Sequence, residues 1–178
     1  METIQYFRAR VGTSLKNGGY LHEISQSILH PEYKGSSTYY DYDVALLKMK
    51  TPFNFNSEVQ PITLNKNPII TAGIATITGW GVTIEGGEKS VRLQKVQVPI
   101  MPNWECRKRY EGRITQNMFC AGRAARSACF GDSGGPVVYG GNQIGIVSWG
   151  TSCTRPDYSG VYANVHSLRG WIHKTSGV

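Results

Sequence analysis

The sequence predicts an all-β protein, a class that rests on three observations. Charged residues make up only 17% of the 178 residues, whereas aromatic residues contribute 11% and glycine occurs 21 times. Such a composition fits a compact protein of strands and turns, not a helical bundle or a disordered chain. Short apolar or alternating runs also recur along the chain, and glycine-containing turns separate several of them. Many short strands at this spacing are typical of a β-barrel or a β-sandwich.

The first part of the chain contains three strand patterns and ends in an extended connection. We expect strands at residues 4–11 and 20–29, the second followed by Pro31, which cannot donate to a strand ladder. A short apolar run over residues 43–49, bounded by loops, predicts a buried strand. Residues 51–68 hold three prolines and show little periodicity, so we interpret them as the connection between two halves.

The rest of the chain predicts further strands and two short helices. The strand signals fall at residues 74–80, 91–98, 136–139, 143–149 and 160–165. One helix is predicted from about residue 103 to 110 with Asn103 as its N-cap, and another, at residues 168–175, closes the chain.

Net charge and cysteine content indicate which kinds of partner the protein binds and in which cellular compartment it folds. The formal charge is +7, yet the basic residues are scattered apart from one short run at residues 107–109. This scatter indicates a solvated basic surface, and we expect no nucleic-acid partner. No apolar run is long enough to span a membrane. The four cysteines lack Cys-x-x-Cys spacing, so we expect two disulfides, no metal or other cofactor, and an oxidising compartment.

The chemistry is concentrated in residues 127–136, which read Ser-Ala-Cys-Phe-Gly-Asp-Ser-Gly-Gly-Pro. Small neighbours let a substrate carbonyl approach Ser133, and glycine allows successive backbone N–H groups to point at one place. A glycine-rich turn that merely contains serine is the alternative. The Gly-x-Ser-x-Gly elbow of α/β-hydrolases also fits these letters, but it requires a helix after the serine. Two glycines and a strand pattern follow Ser133 instead, which speaks against the elbow.

Several motifs follow one another in the order and spacing of one protease family. They are Asp-Val-Ala-Leu-Leu at 43–47, Thr-Gly-Trp-Gly at 78–81, Asn-Met-Phe-Cys-Ala-Gly at 117–122, Ile-Val-Ser-Trp-Gly at 146–150 and Gly-Val-Tyr at 160–162. With the serine segment they resemble the chymotrypsin-like (trypsin-fold) serine proteases along nearly all of the chain. The resemblance implies two antiparallel β-barrels with the active site in the cleft between them. The remnant of the N-terminal barrel, incomplete at its N-terminus, would occupy residues 1–64. The C-terminal barrel, with a short C-terminal helix, would occupy residues 65–178.

The same resemblance assigns roles to individual residues. Ser133 is the expected nucleophile, and the N–H groups of Gly131 and Ser133 are the expected oxyanion hole. Asp43 would orient the catalytic histidine, although it can also be interpreted as a turn aspartate at the start of a strand, like Asp41. Asp132 would pair with the ammonium group of an activated N-terminus. The other implied assignments are substrate contacts by Ser148, Trp149 and Gly150, and the disulfides Cys106–Cys120 and Cys129–Cys153.

The specificity pocket that the resemblance implies has a neutral floor. Trypsins carry an aspartate six residues before the nucleophile, where this chain has Ser127. A buried lysine or arginine of a substrate would therefore remain unpaired, at a cost of several kcal/mol. Gly150 and Gly160 match the pocket walls and leave the slot open. We expect a preference for Phe, Tyr, Trp or Leu, as in chymotrypsin.

The histidine that this family requires is not found in the sequence. The Ala-Ala-His-Cys segment is absent, and we expect ordinary structural roles for the four histidines present, His22, His30, His166 and His173. The chain also opens without a signal peptide. We therefore expect an N-terminally truncated, secreted serine endopeptidase that is inactive as given. Its expected partners are protein or peptide substrates and protease inhibitors.

A second function, from another class, is a non-catalytic homologue that binds proteins through the remaining cleft. The retention of Asp43, Gly131, Asp132 and Ser133 favours the enzyme, because a binding module has no chemical reason to keep the whole set.

Overall fold

The structure is a computed structural model that describes residues 4–69, 73–123, 127–150 and 159–178. Two sheets, one of three strands and one of seven, organise this part of the chain. The strands are β1 (Arg8–Val11), β2 (Tyr20–Leu29), β3 (Ala45–Met49), β4 (Thr63–Leu64), β5 (Ile74–Gly79), β6 (Gln94–Pro99), β7 (Met118–Ala121), β8 (Pro136–Tyr139), β9 (Asn142–Trp149) and β10 (Gly160–Asn164). The α-helices are α1 (Asn103–Arg109) and α2 (Val165–Ser176), and the 3₁₀ turns are Ile4–Tyr6 and Gly35–Thr38. The predicted class, β-sheets with a short C-terminal helix, is confirmed.

The first sheet is an open antiparallel set of three strands with β2 in the centre. Ile24 is the one apolar side chain of these strands that is buried, whereas Leu21, Leu29 and Leu47 are each more than half exposed. A closed barrel would bury such a face, so this half of the fold is a half-barrel. The incomplete first barrel that the sequence predicted is confirmed.

The second sheet contains most of the hydrophobic core. Its strands run in the order β6-β5-β8-β9-β10-β7, and the short β4 pairs in parallel with β9. Apolar side chains from six of these strands and from the residue after β6 meet in one cluster, namely Ala75, Ile77, Val98, Ile100, Phe119, Ala121, Val137, Ile144, Val147 and Tyr162. Complete burial of each large member stabilises the fold by about 1.5–3 kcal/mol. This core is the rigid support of the loops that follow its strands.

Helix α2 packs against residues from both halves of the chain. Val165, Leu168 and Ile172 are buried on one of its faces, because positions three and four apart lie on the same side of a helix. Leu168 and Ile172 pack in one cluster with Val44, which directly precedes β3 of the first sheet. The helix begins where the side chain of Asn164 accepts a hydrogen bond from the N–H of His166, at 3.1 Å.

Several predicted boundaries are corrected. The first strand begins at Arg8 because residues Ile4–Tyr6 form a 3₁₀ turn, and β6 begins at Gln94, not at residue 91. Pro102 is the N-cap residue of α1, where Asn103 was expected, and it makes no side-chain capping bond. Helix α2 begins three residues before the predicted position 168 because Asn164 caps it.

Two strands were not predicted at all. All four residues of β7 are buried, so the strand shows no alternation to detect, and β4 is only two residues long. The bounds of β2 and β8 agree with their predictions. The boundary expected near residue 64 remains a prediction, and β4 is part of the second sheet through its pairing with β9. None of the helices in the described part of the chain has the length and apolar content needed to cross a bilayer.

Removal of the α2 cap should destabilise the protein. In Asn164→Ala the N–H of His166 loses its acceptor, and the free energy of unfolding should fall by about 1 kcal/mol in urea titrations. Both Asn164→Ala and Asn164→Asp lose the 3.3 Å bond that the Asn164 amide donates to Gln116, but Asn164→Asp keeps a capping oxygen and should therefore lose less stability than Asn164→Ala. Equal losses for both variants would show that the cap is not the cause.

Candidate active site

Ser133 lies in a tight double turn between two glycines. The N–H of Asp132 donates to the carbonyl of Cys129 at 3.0 Å, and the N–H of Gly135 donates to the carbonyl of Asp132 at 2.8 Å. Gly131 and Gly134 have φ values of +98° and +81°, which side chains other than glycine rarely adopt. The N–H of Gly134 also donates to Val147 on β9 at 2.8 Å. These bonds hold Ser133 in an exposed position above the core of the second sheet.

Two backbone N–H groups beside Ser133 are available to a ligand. Within the described residues, the N–H groups of Gly131 and Ser133 donate to no acceptor. They belong to alternate residues of one turn, the arrangement that can stabilise a developing negative charge. These are the two groups that the sequence predicted for an oxyanion hole, and that role stays a prediction.

The carboxylate of Asp132 lies under the turn and is held by two backbone donors. The N–H of Gly81 donates to Oδ1 at 2.8 Å, and the N–H of Cys129 donates to Oδ2 at 3.0 Å. A Cβ atom at Gly79 would lie 2.0 Å from Oδ1, and one at Gly81 would lie 2.6 Å from the carboxyl carbon. In the part of the chain that the structure describes, Asp132 makes no ion pair. The predicted ammonium partner therefore stays a prediction.

Asp43 faces the second sheet and bonds to one of the predicted substrate-contact residues. The hydroxyl of Ser148 on β9 donates to Asp43 Oδ2 at 2.6 Å across 105 residues of sequence. Asp41 is different, because its Oδ1 accepts from Thr115 at 2.8 Å and from Asn117 at 3.1 Å. Asp41 thus ties the loop before β3 to the segment before β7, while Asp43 lies toward Ser133.

A cavity of about 340 Å³ opens beside Ser133. It brings together Ser133 and the five residues predicted for substrate binding, which are Ser127, Ser148, Trp149, Gly150 and Gly160. The hydroxyl of Ser127 donates to the carbonyl of Ala128 at 3.0 Å, so the group in the trypsin-aspartate position is neutral. Tyr162, which also lines this cavity, is buried, and burial raises the pKa of its phenol far above the ordinary value. The described residues that line this cavity carry no charged side chain.

A second cavity, of about 570 Å³, is lined by both Asp43 and Ser133. Its remaining walls are mostly apolar and come from both sheets and α2, with Leu29, Val44, Leu46, Ile146, Val165 and Ile172 among them. A proton acceptor in this space could reach the carboxylate on one side and the hydroxyl on the other. Histidine is the side chain that most often performs such proton transfers near neutral pH.

None of the four histidines lines either cavity, and all four lie in the described ranges. His30 is 8% exposed, stacks on Tyr42 with ring centres 4.5 Å apart, and accepts the N–H of Glu32 on Nδ1. Burial lowers the pKa of His30 below its ordinary value. His22 contacts Phe53 edge-on at 4.8 Å, and His166 and His173 belong to α2. These are structural positions.

One predicted disulfide is present in the described chain. Cys106 on α1 is bonded to Cys120 on β7, and both residues are completely buried. Cys129 is also disulfide-bonded, while Cys153, its predicted partner, lies outside the described residues. The described residues bring together no cluster of three His, Cys, Asp or Glu side chains that could hold a metal ion.

Three residues near Ser133 were missed by the sequence analysis. Tyr40 and Phe130 line the 340 Å³ cavity, and the Tyr40 ring lies 6.4 Å from that of Trp149. Lys89 lies against Gly131. The position of Tyr40, three residues before Asp43, was a usable signal, whereas Lys89 lies in a polar loop with no motif of its own.

The fold and the site together define a class. A half-barrel beside a seven-stranded sheet, with a glycine-flanked serine and an aspartate that line one cavity, is consistent with the trypsin fold. The trypsin family model matches residues 4–172, and the chain belongs to the trypsin family.

Relatives of known identity agree with this assignment. A trypsin of Phaedon cochleariae is 40% identical over 179 residues, which is 95% of this chain and 67% of the relative. Trypsin-10 of Gadus morhua is 40% identical over 85% of this chain and 63% of its own length, and trypsin-4 of Rattus norvegicus is 38% identical over 90% and 66%. The chain thus spans about two thirds of the length of these relatives.

The Asp132 carboxylate leaves no room for a side chain at position 79. In Gly79→Ala the new Cβ would overlap Oδ1, and the free energy of unfolding should fall by about 1–3 kcal/mol in urea titrations. Gly170→Ala is the matched control, because nothing lies within 4 Å of its Cβ position on α2. That variant should be neutral or up to about 1 kcal/mol more stable.

The double variant Gly79→Ala/Asp132→Ala tests whether the overlap between the new Cβ and the Asp132 carboxylate causes the loss of stability. The alternative cause is any other effect of alanine at position 79 in β5. If the overlap is the cause, the added cost of Gly79→Ala should largely disappear once the carboxylate is removed. An unchanged cost would contradict the assignment.

Proposed function

We propose that residues 1–178 carry the greater part of a serine endopeptidase that cleaves peptide bonds through an acyl-enzyme at Ser133. The observation that carries the proposal is the cavity lined by both Asp43 and Ser133. A carboxylate and a hydroxyl that face one space are two of the three groups that the mechanism uses. The free N–H groups of Gly131 and Ser133 are the donors that an oxyanion needs.

In this mechanism the oxygen of Ser133 forms a bond to the carbonyl carbon of the substrate, while its proton passes to an imidazole. The tetrahedral intermediate then collapses, the C–N bond breaks, and the imidazole gives the proton to the leaving amine. Water hydrolyses the resulting ester by the same sequence of steps and restores Ser133. Asp43 holds the imidazole in place and stabilises its charged form.

The imidazole is proposed to come from outside residues 1–178. The four histidines of the chain occupy other places, and His30 is already stacked on Tyr42. The chain spans 67% and 63% of the length of two trypsin relatives, so such a protein has further residues that could supply the imidazole. Without it, we propose that the chain has no useful peptidase activity.

Asp132 is proposed to be the partner of a positively charged N-terminus in the complete enzyme. Its carboxylate accepts only backbone hydrogen bonds among the described residues, so its charge is not neutralised there. A buried ammonium group would satisfy that charge and stabilise the turn that carries Gly131 and Ser133. The proposal explains why two glycines, Gly79 and Gly81, clear space around an aspartate.

The proposed substrate preference is for large apolar or aromatic residues before the scissile bond. The neutral Ser127 and the roughly 340 Å³ cavity support it, although the relatives are named trypsins. Ser148, Trp149 and Gly150 are proposed to pair with the substrate backbone as an added strand. Secretion is proposed on the strength of the Cys106–Cys120 disulfide, which persists in oxidising compartments. Protease inhibitors that mimic such substrates are the proposed further partners.

The proposal is tested by completing the chain. Residues 1–178 alone should not hydrolyse a peptide substrate that ends in Phe, because proton transfer from Ser133 lacks its acceptor. A form extended by a trypsin-family N-terminal segment with the histidine and a free activated N-terminus should hydrolyse it. Ser133→Ala in the extended form should leave only about 10³–10⁴-fold rate enhancement over water. This is the residual activity known for this family when one member of the triad is lost.

Ser57→Ala is the control, because Ser57 is exposed and outside both cavities. It should turn over substrate at the wild-type rate. A folded extended protein that binds the peptide without cleaving it would contradict the proposed enzyme and support the non-catalytic binding module.

The neutral pocket floor makes a separate prediction for the extended form. The ratio of kcat/KM for Phe over Arg substrates should exceed one, and Ser127→Asp should reverse it, because the new carboxylate pairs with arginine. The change should correspond to about 3 kcal/mol or more, roughly a hundredfold. Ser127→Ala keeps the floor neutral and should keep the preference for Phe. Faster turnover of the Arg substrate by the extended form with Ser127 unchanged would refute this interpretation of Ser127.

A further inference from the structure

Lys89 lies against Gly131, two residues before the proposed nucleophile Ser133. It pairs with Val82 across a small antiparallel bridge, and the N–H of Val82 donates to the carbonyl of Phe130 at 3.0 Å. A Cβ atom built on Gly131 would lie 3.0 Å from Cε and 3.4 Å from Cδ of Lys89. The aliphatic part of the lysine therefore covers one face of Gly131, and its ammonium group is carried to the edge of the site.

Within the described ranges, this ammonium group is paired with no carboxylate. Among the described residues, Lys89 makes no ion pair and no side-chain hydrogen bond, although Glu85 and Glu88 lie in the same loop. The side chain is exposed, yet its stem is in contact with the backbone of Gly131. Such a packed stem has lost part of its freedom already, so an anion that binds the head group costs less entropy.

The position of Lys89 defines the part of a substrate that it can reach. A side chain before the scissile bond would enter the 340 Å³ cavity, whose walls include Ser127, Phe130 and Gly160 but not Lys89. The carbonyl of the scissile bond would lie at the N–H groups of Gly131 and Ser133. Beyond that point the substrate leaves the cavity, and its next residues pass the face of Gly131 that Lys89 covers.

We propose that Lys89 is a specificity residue that favours substrates with an acidic side chain within the two residues after the scissile bond. This inference rests on the proposed function, because it uses the same nucleophile and the same direction of the substrate. An exposed ion pair of this kind changes affinity by about two- to fivefold. The gain should disappear at about 1 M salt, where the screening length is about 3 Å.

The test uses the 178-residue chain with Ser133→Ala, so that every peptide stays intact. Labelled peptides share one sequence with Phe before the scissile bond and differ only in carrying Glu, Gln or Lys at the first or second residue after it. Fluorescence anisotropy then gives their dissociation constants. We expect the Glu peptide to bind about two- to fivefold more tightly than the Gln peptide at one of these positions, with the Lys peptide weakest.

Variants of Lys89 decide whether this lysine is the cause. Lys89→Gln should remove the difference between the Glu and Gln peptides, and Lys89→Glu should reverse it. Lys48→Gln makes the same charge change on the exposed face of β3 and should preserve the difference. Equal binding of the Glu and Gln peptides to the parent chain, or a difference that survives in Lys89→Gln, would overturn the inference.

The outcome also distinguishes this inference from the proposed function. If Phe peptides bind more tightly than a peptide with Gly in place of Phe, but Glu and Gln peptides bind equally, only the role of Lys89 fails. If the Phe peptides bind no better than the Gly peptide, the substrate site itself is wrong and the role of Lys89 falls with it.

Discussion

The carboxylate of Asp132 is the constraint on which the geometry of the site depends. Two backbone N–H groups converge on it, one from Gly81 after β5 and one from Cys129. The N–H of Asp132 closes the turn before Ser133, and its carbonyl closes the turn that contains Ser133. Hydrogen bonds to a charged acceptor are roughly twice as strong as neutral ones, so this residue is held firmly. Gly81 lies 51 residues earlier in the chain and is nevertheless part of the active site. The conformation of Ser133 is thus held by the hydrogen bonds of its neighbour Asp132.

A second dependence connects Asp43 to the opposite half of the fold. The three-stranded sheet buries little apolar surface of its own, and its position relative to the second sheet comes from a small number of contacts. These include the hydrogen bond between Ser148 and Asp43, the bonds of Asp41 to Thr115 and Asn117, and the packing of Val44 against α2. Each of these polar bonds contributes only about 1–3 kcal/mol. The position of Asp43 therefore depends on the larger core, which holds the partners of these bonds in place.

The sequence predicted the elements in proportion to the strength of their local patterns. Strand β2 and strand β8 were found at their observed bounds, since turn residues delimit them. Strand β7 was missed because its four residues are all buried, and the start of α2 was misplaced because Asn164 was counted in the preceding strand region. Motif spacing identified the residues around Ser133, and all five predicted pocket residues meet in one cavity. Lys89 has no local pattern that relates it to Ser133, so only its packing against Gly131 reveals it, whereas Tyr40 lies three residues before Asp43 and was missed despite that signal.

The sequence by itself determined the class of the fold, the nucleophile segment and the neutral residue at position 127, because these depend on residue types at short spacings. It also determined the absence of the expected histidine motif from these residues. Only the tertiary structure decided which of two nearby aspartates lies toward Ser133, since Asp41 and Asp43 differ in partners more than 70 residues away. It also decided that Asp43 and Ser133 face one empty space, because that space is bounded by strands and a helix from both halves of the chain.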